Sequence, residues 1–172
     1  MPFYEFRVCF EMTETERQQL VDRVTQLHTR KFHTASFIVN IAFQDLRPAK
    51  GMLHVYRNGK PYLGNSIRGV LRSGDRTPTA FNAMTLALVQ AWAEIINGGK
   101  TEDVPPERAL MACSIEPTVA AAWEHGFLVC EGGQDAVWLN VNRKAIEAAA
   151  EKGDEDMKFT LQEIDTRPDL AI

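Results

Sequence analysis

Residues 3–10 alternate, with Tyr4, Phe6, Val8 and Phe10 on one side and Phe3, Glu5, Arg7 and Cys9 on the other. That two-residue period is a strand beginning essentially at residue 2. Thr13 followed by Glu16 reads as a capping box, and Leu20, Val21, Val24, Leu27 and Phe32 then recur at helical spacing, which predicts an amphipathic helix over 14–32. Alternation returns in Phe37, Val39, Ile41 and Phe43, with Ile38 and Ala42 opposite, so a largely buried second strand is expected over 36–45. Two strands joined by a helix of this length form a parallel, right-handed β-α-β unit.

The pattern then repeats. Residues 47–65 are rich in Gly, Pro, Lys and Asn, and Asn58-Gly59 between short β-prone stretches predicts a hairpin excursion rather than a domain boundary. Ile67, Gly69 and Leu71 give a third strand. Thr77-Pro78 opens a helix carrying Phe81, Met84, Leu88, Ala91, Trp92 and Ile95, and Asn97-Gly98-Gly99 stops it. After Pro105-Pro106, the apolar and small residues from Ala109 to Ile115 suit a fourth buried strand. Beyond Pro117 the pattern loosens into Trp123, Phe127 and Trp138 among Gly and charges, a short helix over 143–152 capped by Asn142, and a short strand from Phe159 to Ile164.

The fold class is therefore α+β: tandem β-α-β units forming a four-stranded sheet with two helices on one face. A single domain over 1–172 is expected, with a core at 2–116, the excursion at 47–65 and a C-terminal segment at 117–172. That segment, or a neighbouring subunit, is expected to cover the sheet's other face.

Composition narrows the function classes. The 172 residues are 45% hydrophobic and 24% charged, with a formal charge of -4, a foldable chain without the positive field that holds nucleic acid. Cys9, Cys113 and Cys130 are odd in number and contain no close pair, which argues against a disulfide framework or zinc site and for a reducing, cytoplasmic location. No targeting or membrane-spanning stretch is visible. His33, His54 and His125 lack ligand spacing, and no phosphate loop or Gly-x-Ser-x-Gly turn occurs, so no metal or cofactor is expected.

Five positions carry candidate chemistry. Removal of Met1 leaves Pro2 as a secondary amine at the chain terminus, and desolvation favours the neutral base; Phe3 and Phe6 are candidate walls for its pocket. Met-Pro starts are also common and chemically idle. His28 falls between Val24 and Phe32 in the apolar arc, facing the sheet, as a satisfied core histidine also would. Arg72 and Arg76 flank the strand-to-helix turn 71–77, where free N–H groups and two guanidiniums suit a carboxylate; Arg68 is a candidate for the same cluster, and Asp75 a candidate partner for one arginine. Glu124, in Trp123-Glu124-His125-Gly126, can position water or carry a proton, although a loop glutamate is more often simply solvated.

Together these positions resemble the tautomerase superfamily, and more narrowly its branch resembling cis-3-chloroacrylic acid dehalogenase, over roughly residues 2–126. The resemblance places the catalytic proline at Pro2, the first-helix histidine at His28, the substrate-binding arginines at Arg72 and Arg76, and the water-activating glutamate at Glu124. Two departures stand out. Asp75 makes the arginine pair one residue wider than usual, and the family's fourth-strand tyrosine falls near Ala112 or Cys113, leaving Tyr4 as the nearby phenol and a further substrate-binding candidate. The resemblance implies a homotrimer acting on a small keto, enol or unsaturated carboxylic acid by tautomerisation, with hydration or weak dehalogenation as further outcomes. A family member that keeps the assembly but serves as a binding or scaffold protein is the alternative. A ferredoxin-like RNA-binding module of the same element order lacks support, since Ile67 to Arg72 contains no aromatic residue.

Overall fold

The computed structural model describes residues 2–47, 56–61, 64–119 and 121–170. Strand β1 (Phe3–Val8) leads into helix α1 (Glu14–Phe32), then β2 (Asn40–Asp45), the short hairpin β3 (Tyr56–Arg57) and β4 (Lys60–Pro61), β5 (Asn65–Arg72), α2 (Pro78–Asn97) and β6 (Leu110–Val119). A second hairpin, β7 (Ala122–Glu124) and β8 (Phe127–Val129), precedes α3 (Asp135–Glu151) and α4 (Glu155–Thr166). The main sheet has the order β2-β1-β5-β6, parallel at both outer pairs and antiparallel between β1 and β5. The four-stranded α+β sheet is thus present, and the Asn58-Gly59 turn has both residues at positive φ, as a tight hairpin requires.

The alternation in β1 divides the sheet into two faces. Tyr4, Phe6 and Val8 are buried under the helices with Ile67 and Leu71, while Phe3, Glu5 and Arg7 remain half-buried on the open face. Phe6 stacks with Phe43 and Trp92 in the core. Neither proposed phenylalanine wall fits, because Phe6 is spent in this stack and Phe3 lies on the opposite face. Thr13 and Glu16 close the expected capping box on α1, and Thr77 caps α2 with Pro78 in its first turn. Helix α2 has the length and hydropathy of a membrane-spanning helix, yet its Met84, Leu88, Trp92 and Ile96 stripe lies inside the core.

The C-terminal segment departs from expectation. Helix α3 starts at Asp135 rather than 143, so Asn142 lies inside it and donates to the Trp138 carbonyl instead of capping. The strand expected from Phe159 to Ile164 is helix α4, capped by Asp154 and burying Met157 and Thr160. Apolar positions there follow the helical period, and a short apolar run does not distinguish helix from strand. The two helices pack on each other and on the 3-10 turn Ser36–Ile38, forming a second core around Ala35, Leu139, Ile146, Met157 and Leu170. Arg167 fastens them to the end of α1 by donating to the carbonyls of Thr29 and Thr34.

Candidate active site

Strand directions bring the candidate residues to one end of the sheet. Phe3 lies opposite both Asn40, which opens β2, and Val70, near the end of β5. The C-terminal turn of α1, the 71–77 turn and the β7–β8 hairpin belong to the same end. Pro2 is buried there, and alternation places it on the Tyr4 face of β1.

His28 is fully buried, as its position on the helical wheel predicts, with Nδ1 2.8 Å from the Tyr4 hydroxyl. Burial pushes the Tyr4 phenol far above its ordinary value, so it keeps its proton and can donate to Nδ1, while His28 Nε2 has no protein partner. Burial, then the charges of Arg76 and Arg72, hold the His28 pKa well below 6.5. Gly69 makes this packing possible, since a Cβ there would lie 3.0 Å from the Tyr4 ring.

The depressed His28 pKa has a stability consequence. The unfolded chain takes up a proton at this histidine below pH 6.5 while the folded chain does not, so stability falls as pH drops through that window. In urea unfolding at pH 7, 6 and 5, wild type should lose up to about 1.4 kcal/mol per pH unit more than His28→Gln below pH 6.5. Parallel losses in the two proteins would contradict a buried neutral imidazole.

The two arginines are differently engaged. Arg72 donates from Nη2 to Asp135 Oδ1 at 2.7 Å and from Nη1 to the Cys130 carbonyl at 2.6 Å, with further contacts to Cys130 Sγ and the Glu131 carbonyl. Arg76 donates from Nη1 to the Arg72 carbonyl, and its guanidinium carbon lies 4.2 Å from the centre of the Phe32 ring. Phe32 is thus an apolar wall of the site, in place of Phe3 and Phe6. Burial and the neighbouring Arg72 charge lower the Arg76 pKa. Arg68 does not join this cluster, for it pairs with Glu116 on exposed surface. The acidic partner of the pair is Asp135 rather than Asp75, whose carboxylate instead lies against Gly133.

Glu124, on β7, accepts from Asn40 Nδ2 at 2.7 Å, while Asn40 N–H donates to the Pro2 carbonyl at 3.0 Å. Asn40 therefore ties the head of β1 to the carboxylate, a role that local sequence spacing does not reveal. Burial raises the Glu124 pKa against the opposing bond from Asn40, which suits a group that holds or passes a proton. Among the described residues, eight buried side-chain nitrogen and oxygen atoms lack a partner, and six of them are here: His28 Nε2, Arg72 Nε, Arg76 Nε and Nη2, Glu124 Oε2 and Asp135 Oδ2. Such a concentration of unspent hydrogen-bonding capacity marks a polar binding site. His125 lies instead in an exposed group with Asp154 and Asp156, of a kind common without any ion; His54 lies outside the described residues.

No family model and no curated protein matches the sequence. Among solved structures, a member of the cis-3-chloroacrylic acid dehalogenase family superposes with a TM-score of 0.65 at 19% identity, covering 87% of this chain and 99% of that one. The fold is that of the cis-3-chloroacrylic acid dehalogenase family. A fused 4-OT described as a symmetric trimer aligns with a TM-score of 0.53 at 15% identity over 78% of this chain and 98% of its own. A protein in its form inactivated by 2-oxo-3-pentynoate gives 0.51 at 15% identity, over 73% and 94%. The dehalogenase-family structure matches a larger share of this chain than either of the other two.

Proposed function

We propose that this chain is a tautomerase-superfamily enzyme in which Pro2, freed by removal of Met1, moves a proton between carbon and oxygen of a small keto or enol acid. The observation that carries this reading is the gathering of unpartnered polar atoms from His28, Arg76 and Glu124 at the end of the sheet where buried Pro2 begins β1. In the mechanism, the neutral proline nitrogen accepts a proton from the carbon next to the substrate's carbonyl, and the resulting ammonium returns it to the other tautomeric position. The Arg72 and Arg76 region receives the carboxylate, and Arg76 stabilises charge that builds on the substrate's oxygens. His28, neutral with its proton on Nε2, donates to substrate; Tyr4 fixes the imidazole from beneath. Glu124, oriented by Asn40, activates water where the outcome is hydration.

A homotrimer in the cytoplasm belongs to the same proposal. The half-buried open sheet face and the exposed Trp123 and Leu128, which pair across β7 and β8, leave apolar surface for other copies, and the three cysteines are free thiols. A scaffold role would leave the unpartnered site atoms without a use.

The test is covalent labelling. Incubation with 2-oxo-3-pentynoate, followed by intact-mass and peptide mass spectrometry, should show a chain lacking Met1 and one adduct on the Pro2 nitrogen, with loss of phenylenolpyruvate turnover. An intact Met1, or inactivation with the adduct elsewhere, would overturn the reading.

A further inference from the structure

We propose that Asp135 sets the charge of the anion site by occupying Arg72, so that Arg76 alone grips substrate carboxylate and the site selects monoanions over dianions. This deepens the reading above and rests on it for the identity of the reacting acid, but its binding prediction stands apart from Pro2 chemistry.

The difference between the arginines lies in which edge of each guanidinium is used. Arg72 and Asp135 form an ion pair with side chains only 3% and 6% exposed, and both terminal nitrogens of Arg72 are engaged. Only its Nε lacks a partner. Arg76, 5% exposed at the side chain, spends Nη1 on a backbone carbonyl and leaves Nε and Nη2 without hydrogen bonds. Those two atoms form the side edge of a guanidinium, which takes a carboxylate through two parallel bonds. The protein itself uses that edge elsewhere: Arg68 holds Glu116 through Nε at 2.8 Å and Nη2 at 2.7 Å.

Gly132 packs closely against that guanidinium. A Cβ on Gly132 would lie 3.2 Å from Arg76 Nε and 3.3 Å from its Cζ. Charge then fixes the kind of anion. Arg72, Asp135 and Arg76, beside a neutral His28, form a buried cluster with a single positive charge, and Glu124 and Asp75 add only negative charge around it. The second Asp135 oxygen stands 3.9 Å from Arg76 Nη2 and opposes any further negative group. A monocarboxylate neutralises the cluster, whereas a dicarboxylate leaves a desolvated negative charge unpaired.

Isothermal titration calorimetry with crotonate and fumarate, alike in shape and different in charge, tests this. Wild type should bind crotonate at least about tenfold more tightly than fumarate. Asp135→Asn keeps an oxygen for Arg72 while removing the charge, and should shift that ratio toward fumarate by at least about tenfold. Arg76→Gln should lose both anions. Equal or tighter fumarate binding by wild type, an unmoved ratio in folded Asp135→Asn, or retained binding in Arg76→Gln overturns the proposal. If Asp135→Asn does not fold, the wild-type ratio and Arg76→Gln still decide it. Pro2→Ala is assayed for turnover, separately from the binding ratio. Turnover surviving in that variant would therefore defeat the proline mechanism alone, and a failed ratio beside an inactive Pro2→Ala would defeat the Asp135 proposal alone.

Discussion

Replacing Pro2 by alanine is expected to lower kcat for phenylenolpyruvate by about 100- to 10,000-fold, the range that a positioned acid–base group supplies. Alanine also follows a removable Met1, so the variant still presents a free amine and the comparison isolates the ring. A primary amine carries more N–H bonds to water in its charged form and is not held by a ring packed at the buried head of β1, so less of it is neutral and aimed at substrate. KM should change little, because the carboxylate is held by a guanidinium on another element. A kcat within threefold of wild type would remove Pro2 from the chemistry.

The second large effect is on stability. Arg72→Ala removes the hydrogen-bonded partner of the buried Asp135 carboxylate, leaving Arg76 Nη2 at 3.9 Å, and takes the Arg72 donor from the Cys130 carbonyl, while the Glu131 carbonyl keeps the Gln134 N–H. Breaking one side of a buried pair costs about 3–5 kcal/mol, a large part of the roughly 5–15 kcal/mol that holds a domain folded. Urea unfolding should show that loss, and Arg72→Met combined with Asp135→Leu should recover most of it, since well-packed apolar replacements relieve the buried charge. A loss below about 1 kcal/mol in the single variant would mean a solvated pair. The pair also joins the C-terminal segment to the core, and the same contact region is tight at Gly74, where φ is +51° and a Cβ would collide with the Gly132 carbonyl.

Much of this molecule is legible along the chain because its determinants are local. The period of two in 3–8 and the period of three to four in α1 and α2 report which faces the core needs, and Thr13, Thr77 and Gly98 punctuate the helices. His28 is legible for the same reason, since its place in the apolar arc of α1 fixes its direction. What escapes local reading depends on distant partners. Arg72 meets Asp135 across 63 positions and Asn40 meets Glu124 across 84, and no spacing rule connects them. Helix α4 escapes for another reason: Phe159, Leu161 and Ile164 form too short a run to separate the two periods, although Asp154 followed by Glu155 and Asp156 is a helix start.

The account turns on a free secondary amine at residue 2, and the most direct measurement is turnover of phenylenolpyruvate by a chain that folds but cannot expose it. A lysine inserted between Met1 and Pro2 prevents removal of Met1 and turns the proline nitrogen into an amide. With intact mass and circular dichroism confirming a folded, extended chain, turnover at or below the level of Pro2→Ala is the predicted result. Turnover within a few-fold of wild type would contradict the account.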